Sequence, residues 1–286
     1  MKNAVFYAAL LFILPGVVAA FSVRTSAALA EEFIPNVVNT TPGALKEGTA
    51  HVQGICCNEE AIFVVFANYI YKLDWSGNVD KSVPATKHSG DPCIVNDKLY
   101  VSMSCDEQIA VFEYDLDLNL TKKIKLTDCP ACDGIAFYDG QFYIGGPSVR
   151  TPHEDNLVHI YDSDWNLVKK GFINFGVKTD YGPQSICAWD GKIFYAFYPS
   201  KDNPKDSPRS VCVDSELNNI ATFQLDGSNG WTLAPTSKQP QNPEQKLFLV
   251  ARTKTVDGQT CAQFRWYLFD NKELAFKDVT VEKNER

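Results

Sequence analysis

Several kinds of chemistry are missing from this sequence. No GxSxG, HExxH, P-loop or GxGxxG pattern occurs, so the common serine-hydrolase, zinc-protease and nucleotide-binding signatures are excluded. Basic runs are absent too: 27 Lys and Arg face 35 Asp and Glu, for a formal charge of −8. Affinity for a phosphate backbone comes from Lys and Arg, so nucleic acid is not an expected partner. The acidity favours solubility instead. CxxC occurs once, as Cys129-Pro130-Ala131-Cys132, with no second copy for a zinc site and no βα context for a redox site. It reads as a structural disulfide or two packing thiols. Helical periodicity is weak after the first thirty residues, and no later apolar run reaches the length of a membrane span.

The chain begins with a leader pattern. Lys2 supplies a basic start, Ala4 to Ala20 is almost entirely apolar, and Ala28-Leu29-Ala30 places small residues before Glu31. Residues 1–30 are therefore expected to be a signal peptide, the alternative being a retained anchor at the short edge of a span. The expected location is secreted or periplasmic. Nine Cys is an odd number, so at least one thiol lacks an internal partner. Cys56, Cys93 and Cys187 fall within apolar runs, where Cys serves as a small buried hydrophobe.

The rest of the chain repeats. Four segments carry Asp followed four residues later by Asn: Asp74/Asn78, Asp115/Asn119, Asp162/Asn166 and Asp214/Asn218. A fifth copy keeps Asp270 but has Leu274 in place of Asn. Each follows an apolar run and leads into another, and both residue types favour tight turns. Upstream of each lies a second turn and an apolar pair, with Asn96-Asp97, Asp139-Gly140 and Asp190-Gly191 as strong hairpin signals. A third element opens each unit, near residues 51, 88, 130, 181 and 226. Four-stranded units at this spacing predict an all-β propeller of five blades, with six as the alternative. Residues 31–50 are an N-terminal extension or a closing strand, and 51–286 a single domain, expected to be a monomer.

The strand-turn-strand repeat, with starts such as His51-Val52-Gln53-Gly54-Ile55 and Asp133-Gly134-Ile135, resembles the broad propeller group of NHL-repeat and SMP-30/strictosidine-synthase-like proteins. The resemblance covers roughly residues 51–283. It implies the fold and, in some members, a channel metal and hydrolase or lactonase activity. The full acidic metal set of those members is not evident here.

Aligned on the following hairpin, Gln53, Asp91, Asp133, Gln184 and Asn229 share one column, at spacings of 9, 8, 9 and 9 residues in the first four copies. In a propeller this column rings one mouth of the central channel, with His51, His88 and Tyr181 just outside it. Such convergent polar groups mark a ligand site. Equally, they are consistent with strand-end turns that hold water. Asp91 and Asp133, from neighbouring blades, are candidate ligands for a hard cation such as Ca²⁺, with the carboxamides supplying further oxygens. Two functions follow. One is an exported recognition module for a small polar ligand, glycan or protein. The other is a metal-assisted hydrolase or lactonase, or a glycosidase, using Asp91 and Asp133.

Overall fold

A computed structural model describes residues 51–85, 88–105, 108–146, 156–174, 176, 179–199, 208–256 and 259–280. The expected leader and the 31–50 extension lie outside these residues. Among these residues twenty strands form five antiparallel sheets of four, each built from four consecutive strands in the order 1-2-3-4. The blades span 52–84, 89–125, 134–173, 179–223 and 231–278. The first strands are Val52–Cys57, Ser89–Val95, Gly134–Tyr138, Thr179–Trp189 and Trp231–Leu233. Each packs beside the next, and the fifth returns to the first. The protein is a five-bladed β-propeller. Blades three and five begin a few residues later than the sequence predicts, because Pro130–Cys132 and Asp226–Gly230 run as irregular chain before pairing starts.

The turns that betray the repeat have a common chemistry. Asp74 Oδ1 accepts hydrogen bonds from the backbone N–H of Ser76 (2.8 Å) and Asn78 (2.9 Å), and Oδ2 accepts from Asn78 Nδ2 (2.8 Å). The same clasp recurs at Asp115/Asn119, Asp162/Asn166 and Asp214/Asn218. These hydrogen bonds hold the exposed carboxylates below the usual Asp range. The residue before each Asn is left-handed: Gly77 at φ 86°, Leu118 at 59°, Trp165 at 67° and Leu217 at 70°. In blade five the turn is one residue longer. Leu274, at φ 49°, occupies this left-handed position and not the place of the missing Asn.

A left-handed L-residue costs about 1–2 kcal/mol. The larger side chains offset it by burial between blades. Leu118 and Leu217 enter apolar clusters, and Trp165 stacks on Phe142 with ring centroids 4.2 Å apart. The entry hairpins also behave as their residues require. Asn96-Asp97, Asp139-Gly140 and Asp190-Gly191 all have positive φ at both positions, as the tight primed turn demands.

Five apolar clusters lie between successive blades, one at each junction. Among the described residues the ring closes by packing and not by exchange of a strand. Blade five meets blade one through Leu249, Phe264 and Trp266 against Ile55, Val64 and Tyr71, with Trp75 stacked on Trp266 at 6.1 Å. The backbone N–H of Val52 donates to Thr253 Oγ1 at 3.0 Å across the same junction.

Leu217→Gly sets the two terms of the turn against each other. It removes the left-handed strain but empties a buried leucine site, a loss of about 2–5 kcal/mol for large-to-small changes. The expected net result is destabilisation by about 1–3 kcal/mol in urea unfolding. A neutral or stabilised variant would show that strain outweighs packing there.

Candidate functional site

The first strands approach the axis so closely that side chains are largely excluded there. A Cβ on Gly54 would stand 2.5 Å from Asp91 Cα and from Pro92 Cδ. One on Gly230 would stand 2.6 Å from the backbone nitrogen of Ile55. The inner edge of each blade therefore meets another backbone, and its buried N–H groups need acceptors. Asp91 N–H donates to the Asp133 carbonyl at 2.8 Å, and Ser102 Oγ–H donates to the Asp91 carbonyl at 3.0 Å.

The Asp91 carboxyl, 0% exposed, supplies the rest. Its Oδ2 accepts from the backbone N–H of Ile186 at 2.9 Å and its Oδ1 from Ser185 Oγ–H at 3.0 Å, both in blade four. Ile135 N–H of blade three also donates to it. Ser185 Oγ in turn accepts from the backbone N–H of Trp231 in blade five at 3.3 Å. One side chain thus ties blade two to blades three and four, and through Ser185 to blade five. Burial pushes the Asp91 pKa well above the carboxylate range, against the opposing pull of these hydrogen bonds.

Asp91 accordingly sits one residue deeper than the column into which sequence alignment places it. Gly54 pairs with Val65, Gly134 with Gly145 and Ser185 with Ala196, and Gln53, Asp133 and Gln184 each precede those residues by one. In blade two Pro92 pairs with Val101 as Ile55 pairs with Val64, so Asp91 is level with Gly54 and Ser185 and Gly90 takes the column position; the bulge just before Pro92 has counterparts in blades one and four. The spacing of 8 against 9 residues is the sign of this shift.

Towards the mouth, the structure brings two groups together. Gln53 Nε2 lies 3.0 Å from His51 Nε2 and 3.4 Å from His88 Nδ1. Gln184 Nε2 donates to Asp133 Oδ2 at 3.4 Å. Burial pushes the Asp133 pKa up to about 7, with the Gln184 hydrogen bond opposing. Burial, then the neighbouring His88, lowers that of His51. Asn229 stands apart from both groups. Its Oδ1 accepts from Thr253 N–H at 3.2 Å, and its Nδ2 donates to the Tyr198 hydroxyl at 3.4 Å. Tyr181 contributes backbone to the first strand of blade four, and its side chain lies outside the described residues.

Asp91 and Asp133 share a backbone hydrogen bond, but each carboxyl has its own partners. The Asp91 oxygens accept from Ile186 and Ser185, and Asp133 Oδ2 accepts from Gln184. Among the described residues no group of three or more His, Cys, Asp or Glu is arranged to hold a metal ion.

The opposite end of the channel holds a feature that alignment does not reveal. A cavity of about 200 Å³ is walled by all five first strands, with Cys56, Cys57, Cys93 and Cys187 among its lining. Burial raises the pKa of all four thiols, Cys57 and Cys187 to about 12, so they stay protonated and are poor nucleophiles. Cys129 and Cys132 are buried free thiols in the cluster between blades two and three, and Cys129 Sγ lies 3.6 Å from Nδ1 of the buried His159.

No family model matches the chain, and no curated protein does. Solved structures similar to it include a nidogen/laminin complex (10% identity, 80% of this chain and 79% of that chain, TM-score 0.48). Others are hydrazine synthase from Kuenenia stuttgartiensis (11%, 85% and 70%, 0.47) and BamB from Moraxella catarrhalis (13%, 85% and 66%, 0.38).

Two outcomes follow from the axis. Asp91→Ala leaves buried donors without an acceptor, at about 1–3 kcal/mol each, and is expected to cost at least about 3 kcal/mol, whereas Asp91→Asn costs about 1–3. Urea unfolding followed by circular dichroism checks both, and equal stability of Asp91→Ala and wild type would contradict the role assigned to Asp91. The second outcome concerns pH. Unfolded Asp ionises near pH 4, whereas folded Asp133 holds its proton to about pH 7. Its contribution to stability is intact below the unfolded value and is lost as pH rises through about 7. The melting temperature should fall between pH 5 and pH 8, and Asp133→Asn should flatten that slope. An unchanged slope would remove Asp133 as its source.

Proposed function

We propose that the chain is an exported recognition propeller that binds a neutral, hydroxyl-rich ligand of the glycan type on the face where the first strands begin. The observation that supports this is the division of labour at the axis. Asp91 is consumed by the fold, so the face above it is a closed floor carrying hydrogen-bonding side chains. Gln53, His51 and His88 stand on one side, Asp133 and Gln184 on another, with Asn229 beyond. Carboxamides, imidazoles and a carboxyl with a raised pKa offer donors and acceptors without a strong local charge. The net charge of −8 favours a neutral ligand over an anion.

The hydrolase and glycosidase reading needs a second free carboxyl beside Asp133. With Asp91 engaged by Ile186 and Ser185, the described residues favour binding over hydrolysis. The narrower resemblance to NHL-repeat and SMP-30/strictosidine-synthase-like proteins rests on the blade repeat and lends no activity to these residues. A monomer that needs no Ca²⁺ is the form in which this reading places the protein.

The test is a neutral glycan panel, followed by calorimetry on any hit. Asp133→Ala and Asn229→Ala are expected to weaken binding about tenfold or more, one lost hydrogen bond to a polar ligand being worth about 1–2 kcal/mol. Turnover of a panel member, or binding indifferent to both substitutions, would overturn the proposal.

A further inference from the structure

The His51–Gln53–His88 group has a geometry that hydrogen bonding to a ligand does not require. Two imidazole nitrogens, from the starts of neighbouring blades, converge on one atom. His51 Nε2 lies 3.0 Å and His88 Nδ1 3.4 Å from Gln53 Nε2. Gln53 is only 5% exposed, His51 is half-buried, and His88 is exposed on the mouth face. The point of convergence is therefore reachable from solvent but backed by protein.

His88 is also strained. Its φ is 68°, in the left-handed region. Its backbone N–H and that of Ser89 both donate to the Ala67 carbonyl, at 2.9 and 3.2 Å, and this pair pins the turn. The internal repeat supplies the comparison. Ser89 pairs with Met103 as Pro183 pairs with Phe197, so His88 corresponds to Gly182 of blade four, which has φ 67°. The same backbone conformation is available at no steric cost to glycine. Blade two instead holds a histidine there and aims its ring at Gln53. Strained non-glycine residues gather where a side chain is needed in one place.

We propose that His51, His88 and Gln53 form a binding site for a divalent transition-metal ion of the Zn²⁺/Cu²⁺ class, on the face assigned above to ligand recognition. Neutral imidazole suits these ions, and in the tautomer that accepts from the Gln53 amide each facing ring nitrogen carries the lone pair a metal takes. Zinc–nitrogen bonds are about 2.0–2.1 Å long, so an ion at the present position of Gln53 Nε2 draws each ring in by roughly 1 Å. Exposed His88 has room for that movement. For the ion to take that place the Gln53 side chain withdraws by roughly 2 Å, one zinc–oxygen bond, and a half-turn of its amide exchanges Nε2 for Oε1 and presents a third ligand. The fourth position stays open to water or to a hydroxyl of a bound molecule, as in open metal sites. The proposal rests on the recognition reading only for its location, because metal binding is measurable without any glycan.

The experiment uses the purified chain after chelator treatment, titrated calorimetrically with ZnCl₂ and CuCl₂. Cu²⁺ electron paramagnetic resonance reports the ligand atoms. The expected result is one ion per chain at micromolar affinity, with the signature of two coordinated imidazole nitrogens. His51→Ala and Gln53→Ala should weaken binding tenfold or more. His88→Gly relieves the backbone strain, so it should melt at or above the wild-type temperature while losing the ion, which separates ligation from folding. Absence of saturable binding, or binding that survives in His88→Gly, overturns the proposal. Neither result touches the glycan reading, which stands or falls with Asp133→Ala and Asn229→Ala.

Discussion

Five first strands cannot meet at one axis without bringing backbone against backbone, and each brings an edge of N–H groups that its own sheet leaves unpaired. Unsatisfied, such buried donors cost about 1–3 kcal/mol each. The Asp91 carboxyl answers several of them at once, accepting from Ile186 and Ser185 in blade four and from Ile135 in blade three. The glycines around it permit the approach, and Ser185 relays the connection to Trp231. The apolar clusters between blades supply most of the burial, but they are spread round the ring. The polar hub acts where the blades converge, and it closes the floor on which the mouth residues stand.

Much of the fold was legible in the sequence, because the propeller repeats its turn chemistry. An Asp whose carboxylate caps two backbone N–H groups, and an Asn that clasps it, recur at one position in four blades. That is a local, side-chain-encoded signal. The fifth copy was harder to read, since an extra turn residue places Leu274 where the others have Gly77, Leu118, Trp165 or Leu217. Counting from the Asp alone aligned it with Asn. Blade starts were blurred where irregular chain precedes the first strand, as at Pro130–Cys132.

The site was legible only in part. Gln53, Asp133 and Gln184 do share a register, and His51 and His88 do meet, through Gln53. Asp91 matches the first three in chemistry but not in register. It stands eight residues before its apolar pair where the others stand nine, and in a strand one position changes the direction of the side chain. The same kind of residue thereby passes from a ligand-facing ring to the interior. The cavity at the far end has no sequence signature, because its lining, Cys and apolar residues from Ala136 to Trp231, reads as ordinary core.

The hub makes one direct claim about backbone groups that the sheets themselves leave unpaired. Native-state hydrogen exchange of the Ile186 and Asp91 amides tests it, since both N–H groups lie on the inner edges of their blades. If the axis is organised as described, both exchange only with global unfolding, as slowly as the central strands of the blades. Exchange at the rate of an open strand edge would contradict it, and the closed floor on which the functional reading stands would go with it.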